Sequence, residues 1–320
     1  MKAIHVPEFG EPEVMQLVDI PDPTPGPGQV VVGVRAAGVN PVDTYLRSGL
    51  YTFMPKLPYT PGADIAGEVV AVGEGVTRVA VGDRVYAAGT LSGAYAEKVL
   101  CLEAQVFALP DNLTFAQGAA LGIPYGTAHR ALFHRANAQA GETVLIHGAS
   151  GGVGIAAIQL AKQAGLTVIG TAGADDGAEL VSEQGADHVL NHHDDGHLQA
   201  ALDHSDGRGV DIVLEMLANV NLGSELAFLA KGGRVVIIGS RGTVEINPRD
   251  LMTRDADVLG MSLVNLGDAE RVVLHGALAP GLRDGALVPV VSRELPLAEA
   301  VEAHHAVIEA STHGKIVLLP

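Results

Sequence analysis

The sequence has little of several residue types that common functions require. Among its 320 residues there is a single cysteine, Cys101, there is no tryptophan, and aromatic residues make up only 4%. One cysteine excludes an intramolecular disulfide framework and any metal site built from several thiolates, which indicates a reducing compartment. The scarcity of aromatic side chains argues against a surface that stacks sugars or single-stranded nucleic acid.

Positive charge is also scarce. Lysine and arginine total 20 against 37 acidic residues, a formal net charge of −17, which disfavours nucleic acid and anionic membrane surfaces as partners. The segment Met1–Glu8 lacks the apolar core of a signal peptide, and acidic residues or glycines interrupt every long apolar run. We therefore expect a cytoplasmic, globular protein without a membrane span, and 320 residues suffice for two domains.

One stretch has the layout of a dinucleotide-binding unit. An apolar strand pattern, Thr143–His147, enters a glycine-rich turn, and the turn opens the helical pattern Ile155–Ala164. The turn has the form Ala-x-Gly-x-x-Gly from Ala149, in which Gly151 and Gly154 allow close backbone approach. A chain with 40 glycines produces such spacings by chance, so the surrounding pattern decides. With that support, we expect the turn to bind a pyrophosphate.

The downstream sequence supplies this support, because short apolar runs alternate with helical patterns. Near-continuous apolar runs are typical of strands buried on both faces of a parallel sheet. Together with Thr143–His147 they predict an α/β fold with a doubly wound, six-stranded parallel Rossmann sheet. The further strands are predicted at 167–171, 187–190, 210–215, 234–238 and 258–264, and the helices between them at 176–184, 195–204 and 219–230.

The first 110 residues or so follow a different pattern. Strand-like runs at 30–39 and 66–73 lie among proline- and glycine-rich turns, which predicts a compact, irregular β-barrel. Helical sequence follows from Thr114 to Arg135 and is predicted to break near Pro124. The carboxyl-terminal tail exceeds a six-stranded sheet, so we expect it to return to the first domain. It is predicted to form a helix at 268–278, a strand at 287–291, a helix at 297–309 and a strand at 315–319.

Four segments identify a family resemblance: 38–45 (GVNPVDTY), 58–64 (PYTPGAD), 214–222 (LEMLANVNL) and 239–250 (GSRGTVEINPRD). They resemble the zinc-free medium-chain dehydrogenases/reductases, and in particular zeta-crystallin-like NADPH:quinone oxidoreductases, and the similarity runs over essentially the whole chain. The resemblance implies a GroES-like β-barrel catalytic domain at 1–122 and 266–320, and a Rossmann domain at 123–265. It also implies an active-site cleft between the two domains.

The sequence departs from the zinc enzymes of this superfamily at their metal ligands. Those enzymes have a cysteine in the segment that corresponds to 37–40, and a histidine followed by glutamate after the counterpart of Gly62. Here the first segment has no cysteine and the second has Ala63-Asp64. We therefore expect no metal and disfavour zinc-dependent alcohol oxidation. The histidine-rich segment 187–197 is interpreted as a solvated loop, and His304-His305 as one half-buried and one exposed residue.

The end of the second Rossmann strand favours NADPH, because no acidic residue lies where NAD enzymes bind the ribose. Asp175 and Asp176 follow closely and are interpreted as acids at a helix amino terminus, while the next basic residue is Arg208. For Arg241, an ion pair with Glu245 or Asp250 is the alternative to a coenzyme contact. The resemblance implies coenzyme contacts at Tyr45, Ser150, Gly151, Gly152, Val153, Gly173, His192, Asn221, Ile238, Gly239, Ser240, Arg241, Met261, Ser262 and Leu263.

A quinone accepts electrons readily, so the protein needs mainly to hold it against the nicotinamide and shield it. The resemblance places Tyr45 and Tyr51 beside the nicotinamide and the substrate, on a predicted loop. Asn40 is interpreted either as a turn residue before Pro41 or as a contact of the nicotinamide. Arg47 is expected to be a solvated charge.

The residues and the family resemblance together favour NADPH-dependent reduction of quinones. The resemblance implies a preference for ortho-quinones and release of semiquinone. The alternative enzyme is a reductase of enals or enones, and a different class of role is binding of AU-rich RNA or a structural, crystallin-like role. Family resemblance also implies a homodimer or homotetramer, with the apolar segment 258–264 as a candidate edge strand for pairing.

Overall fold

The chain folds into two units, which the computed structural model describes over residues 1–51, 53–309 and 313–320. The first unit contains Met1–Gly126 and Gly267–Pro320, and the second contains Thr127–Leu266. The strands are β1 (Lys2–His5), β2 (Gln16–Asp19), β3 (Gln29–Val39), β4 (Asp64–Val72), β5 (Arg84–Ala88), β6 (Lys98–Leu102), β7 (Val106–Ala108), β8 (Thr143–Ile146), β9 (Thr167–Ala172), β10 (His188–Asn191), β11 (Val210–Glu215), β12 (Leu229–Ile237), β13 (Asp257–Gly260), β14 (Val291–Pro296) and β15 (Lys315–Leu319).

Ten α-helices accompany these strands in the part of the chain that the structure describes. They are α1 (Pro41–Ser48), α2 (Phe115–Gly118), α3 (Gly122–His129), α4 (Gly152–Gln163), α5 (Asp175–Glu183), α6 (His197–His204), α7 (Ala218–Glu225), α8 (Pro248–Met252), α9 (Asp268–Asp284) and α10 (Ala300–Ala306). None of the described helices combines the length and the apolar character needed to cross a lipid bilayer.

The first unit is built around the long strand β3. The sheet order is β14-β15-β3-β4-β5-β7, with β6 also paired to β3. Valines at alternate positions of β3, Val30 and Val32, are fully buried in the core, as expected for a strand with one face on a hydrophobic layer. The last strand, β15, pairs antiparallel with β3, and Ile316 lies opposite Val39. The tail is thus part of the first unit.

The second unit contains the six-stranded parallel sheet, in the order β10-β9-β8-β11-β12-β13. Counted along this unit, the order is 3-2-1-4-5-6, the doubly wound arrangement of Rossmann domains. Every residue of β8 is buried, because helices cover both faces of such a sheet. The predicted fold class is confirmed.

Three of the wrong predictions concern the position of one helix break and of two strand ends. The break in the first helical stretch lies between α2 and α3, at residues 119–121, and Pro124 lies in the first turn of α3, where a missing N–H costs little. The strand predicted at 287–291 begins only at Val291, since Leu287 N donates to Gly281 O and Pro289 has no N–H for a sheet. The edge strand predicted to reach Val264 ends at Gly260, and a 3₁₀ turn follows at Leu263–Asn265.

The amino terminus of α4 packs directly on the glycine-rich turn. A Cβ atom added to Gly154 would lie 2.5 Å from Ala149 Cα and 2.6 Å from Ala149 C and O. These are backbone atoms, which cannot move away without distorting the turn. At Gly151 the nearest neighbour of an added Cβ is Gly148 O at 3.4 Å, an ordinary contact. The turn therefore requires glycine at 154 and tolerates a methyl group at 151.

We therefore expect Gly154→Ala to lower the free energy of unfolding by about 1–3 kcal/mol, as overpacked sites do. Gly151→Ala is the matched control and should change it by less than about 0.5 kcal/mol, the range of neutral substitutions. Denaturant titrations of the two variants and the parent chain test this. Equal stability of the two variants would contradict the packing argument.

Candidate active site

The glycine-rich turn after β8 is fixed to the neighbouring strand by hydrogen bonds. Ala149 N donates to Thr171 O at 2.8 Å, and Gly148 N donates to Thr171 Oγ1 at 3.2 Å. Gly148 has φ +55°, in the left-handed region that glycine adopts freely. Helix α4 begins at Gly152 without a side-chain cap. Its first N–H groups and its dipole can therefore serve an anion at the positions named in the sequence analysis, Ser150, Gly151, Gly152 and Val153.

Gly173 and His192 meet at the ends of β9 and β10. A Cβ added to Gly173 would lie 2.7 Å from His192 Nε2 and 2.8 Å from His193 Nε2. The pKa of His192 is lowered, mainly because burial removes solvent and to a smaller extent because the imidazoles of His193, His147 and His197 lie nearby. Beyond Gly173, Asp175 and Asp176 occupy the first turn of α5, as predicted. The edge of β9 thus presents imidazole nitrogens and glycine, with the acids on the following helix.

The remaining predicted coenzyme residues follow β11, β12 and β13. Ile238 N and Gly239 N donate to Glu215 O at 2.8 and 3.2 Å, and an added Cβ at Gly239 would collide with Met216 O. Arg241 N donates to Asn219 Oδ1 at 2.7 Å. The structure therefore collects the following residues at the carboxyl ends of parallel strands, where Rossmann sheets bind their ligands: Asn221, Ile238, Gly239, Ser240, Arg241, Met261, Ser262 and Leu263.

A buried cluster at the same edge was missed by the sequence analysis. His147, Glu215 and Glu225 are 4%, 0% and 1% exposed, and one donor atom of each lies within 4.8 Å of the others. His147 Nε2 is 3.1 Å from Glu225 Oε2. Burial raises the pKa of Glu215 and of Glu225 to about 7. The available signal was the acid Glu215 directly after the buried apolar run 212–214, because a buried acid is costly without partners.

In the first unit, Tyr45 lies on helix α1, whereas the sequence had predicted a loop at this position. Asn40 forms the N-cap and its N–H donates to Asp43 Oδ2 at 2.9 Å, Pro41 takes the first helical position, and Gly49 ends the helix in the left-handed conformation. These residues are strong signals for the start and the end of a helix, and they explain why the predicted loop is helical. Tyr45 and Tyr51, which follows the helix, are both half-buried.

Asn40 belongs to a buried ionic network. Asn40 Nδ2 donates to Asp64 Oδ2 at 2.9 Å, while Lys315 Nζ donates to Asn40 Oδ1 and lies 3.3 Å from Asp64 Oδ2. All three residues are at least 96% buried. Burial lowers the pKa of Lys315 and raises that of Asp64, and each opposes the shift of the other. The amide of Asn40 thus joins α1 to β4 and β15, and the residue is a helix N-cap where the sequence had offered a turn residue; its contact with the nicotinamide stays a prediction.

Ala63 and Asp64 stand where the resemblance places the histidine and the glutamate of the zinc enzymes, so only the acid has a carboxylate counterpart here. Asp64 Oδ1 accepts from Ile123 N at 2.8 Å, and its Oδ2 accepts from Asn40 and Lys315. Because an ammonium group already neutralises this carboxylate and its oxygens are engaged, these residues do not fit a zinc ion. No catalytic step is assigned to a metal here.

A second chain of buried hydrogen bonds supports α1. Arg47 Nε donates to His304 Nδ1 at 3.2 Å, His304 Nε2 lies 3.2 Å from Tyr95 Oη, and Tyr95 donates to Asp43 Oδ2 at 3.0 Å. The expectation of a solvated Arg47 was wrong, since it is 2% exposed. His304 is fully buried and not half-buried, whereas His305 is exposed as predicted. Burial lowers the pKa of His304 to about 3.

Replacing Lys315 with methionine should leave Asp64 as an uncompensated buried charge. We expect the free energy of unfolding to fall by about 3–5 kcal/mol, and Asp64→Asn in the same chain to restore part of it. Lys162→Met, which breaks the exposed pair with Asp187, is the control and should cost about 0–1 kcal/mol. A double-mutant cycle by chemical denaturation measures this, and simple additivity of Lys315→Met and Asp64→Asn would contradict it.

Asp43 should make stability depend on pH. Burial raises its pKa from 3.8 to about 7, so the folded chain keeps a proton that the unfolded chain has lost. The stabilising contribution is fully present below about pH 4 and is lost as the pH rises to about 7. Denaturation at several pH values should show this decline in the parent relative to Asp43→Asn. Exposed Asp19→Asn should follow the parent, and parallel curves for all three proteins would contradict the assignment.

Known proteins resemble the chain along its whole length. A model described as an alcohol dehydrogenase GroES-like domain matches residues 26–111, and one described as a zinc-binding dehydrogenase matches residues 152–275. Quinone oxidoreductases of Homo sapiens and Sus scrofa are 48% and 50% identical over 321 aligned residues, covering 100% of this chain and 98% of each relative.

Solved structures agree with these similarities. The Escherichia coli quinone oxidoreductase complexed with NADPH has a TM-score of 0.90 at 29% identity, and a mycobacterial protein complexed with NADPH has a TM-score of 0.92 at 34% identity. Both alignments cover 100% of the two chains compared. The chain therefore belongs to the medium-chain dehydrogenase/reductase superfamily and, within it, to the zeta-crystallin-like quinone oxidoreductase family of enzymes.

Proposed function

We propose that this enzyme reduces small quinones with NADPH and prefers ortho-quinones. The observation that carries the proposal is the identity of about half of all residues with quinone oxidoreductases over the full chain. The Asp64–Lys315 pair supports it, because an internal cation takes the place of the Lewis acid that alcohol oxidation by zinc enzymes requires.

The coenzyme supplies the hydride when bound, and the second unit would hold it. The turn at Gly148–Gly151 and the uncapped start of α4 offer N–H groups and a positive dipole end to the pyrophosphate. At the end of β9, Gly173 leaves room beside the His192 and His193 nitrogens. These imidazoles can donate to a 2′-phosphate, and no carboxylate lies at this position to repel it.

Tyr45 and Tyr51 of the GroES-like unit would contact the quinone and the nicotinamide. Their rings offer apolar faces for stacking, and their hydroxyls can orient a quinone carbonyl. Because the quinone accepts electrons readily, positioning and exclusion of water are the main contributions required from the protein. The reaction would take place in a zinc-free site, with Asn40 holding the start of the helix that carries Tyr45.

We further propose that the enzyme is cytoplasmic and works as a homodimer or homotetramer. Strand β13 lies at the edge of the six-stranded sheet and pairs only with β12 among the described strands. An edge strand with open hydrogen-bonding groups is a liability unless it is covered, and pairing with a second copy would cover it.

The test is a comparison of NADPH oxidation with an ortho-quinone and with a 2-alkenal. We expect kcat/KM for the ortho-quinone to be higher by about tenfold or more, which corresponds to about 1.4 kcal/mol of transition-state free energy. Tyr51→Ala should lower kcat/KM for the quinone by a similar factor. Tyr59→Phe is the control and should retain activity, because it removes a buried hydroxyl that has no hydrogen-bond partner in the described part of the chain. Alkenal turnover that matches or exceeds quinone turnover would favour the enone reductase.

A further inference from the structure

Glu215 is a fully buried carboxylate at the end of the central strand β11. Its Oε1 accepts from Leu217 N and from Asn221 Nδ2, the latter at 3.1 Å, and its Oε2 lies 3.2 Å from the same Asn221 nitrogen. A buried carboxylate is tolerated only when its oxygens are engaged in this way. The side chain thus fixes the direction of the Asn221 amide and the first turn of α7.

The main chain of the same residue holds a second segment. Glu215 O accepts from Ile238 N at 2.8 Å and from Gly239 N at 3.2 Å, and Gly239 O accepts from Ala218 N at 2.9 Å. The turn after β12 and the start of α7 are therefore tied to one residue. Both segments lie at the carboxyl ends of adjacent parallel strands, which is the ligand-binding edge of a Rossmann sheet.

The partners on the other side of Glu215 are His147 and Glu225. His147 Nε2 lies 3.6 Å from Glu215 Oε2 and 3.1 Å from Glu225 Oε2, and the next residue, Gly148, begins the pyrophosphate turn. Glu225 Oε1 is buried and has no hydrogen-bond partner among the described residues. Only Glu215 of the two carboxylates contacts Asn221, which gives the cluster a natural pair of test and control positions.

We propose that Glu215 is a positioning residue for the coenzyme, which it serves by fixing the Asn221 amide at the binding edge of the sheet. The inference rests on the proposed function, because it requires that the chain bind a nicotinamide coenzyme at this edge. Glu215 itself is fully buried, so its effect passes through Asn221 and the start of α7.

The experiment is a double-mutant cycle of Glu215→Gln and Asn221→Ala, read out as the Kd for NADPH from a fluorescence titration. Glu215→Gln should raise Kd about tenfold, the factor that corresponds to 1.4 kcal/mol, and should raise KM for NADPH with little change in kcat. In the Asn221→Ala background the same substitution should change Kd by less than about twofold, as expected for coupled neighbours. Glu225→Gln, the same chemical change in the same cluster, should bind NADPH like the parent.

Several results would overturn the inference. These are an unchanged Kd in Glu215→Gln, multiplication of the two single effects in the double variant, or an equal loss of affinity in Glu225→Gln. Stoichiometric binding of Zn²⁺ that Glu215→Gln abolishes would also overturn it, because the cluster would then be a metal site. If Glu215→Gln does not fold, Glu215→Asp withdraws the carboxylate from Asn221 and should give the same loss. A parent chain that binds neither NADPH nor NADH would overturn the proposed function as well, whereas the other outcomes leave that function standing.

Discussion

The buried contact between Lys315 and Asp64 organises the GroES-like unit. It joins the last strand of the chain to β4, and through Asn40 to the first turn of α1, which carries Tyr45. Burying one charge alone would cost several kcal/mol, so the two are stable only together and with their hydrogen bonds complete. A candidate substrate residue thus depends on an ion pair whose members are far apart in sequence.

The same principle operates at the edge of the six-stranded sheet. Close approach there is provided by Gly154 and Gly239, at which a side chain would strike the neighbouring backbone. Polar order is provided by the buried Glu215, which fastens Asn221 and the turn after β12. Small residues allow backbone segments to pack closely, and a covered carboxylate keeps the surrounding groups in place. Each unit therefore supports its half-buried candidate residues on a buried polar group.

Elements that depend on local interactions could be predicted from the sequence, whereas contacts between distant residues could not. Strands 210–215 and 315–319 were predicted to the residue, because an apolar run between turns specifies a buried strand locally. Helix α1 was missed although Asn40, Pro41 and Gly49 mark its ends, since the helix has only eight residues and its sequence was interpreted as a turn. Pro289 and Pro124 showed how one proline displaces a strand and how another is accommodated in a first turn.

The sequence by itself determined the doubly wound sheet and the position of the glycine-rich turn after its first strand, because hydrophobic period and glycine spacing are local properties of the chain. The family followed from motifs of the same short range. Only the tertiary structure decided which charges are buried together. Lys315 and Asp64 are 251 positions apart in the sequence, and Arg47 and His304 are 257 positions apart. No local pattern distinguishes such residues from solvated ones, since the partner that offsets the cost of burial is brought near only when the chain folds.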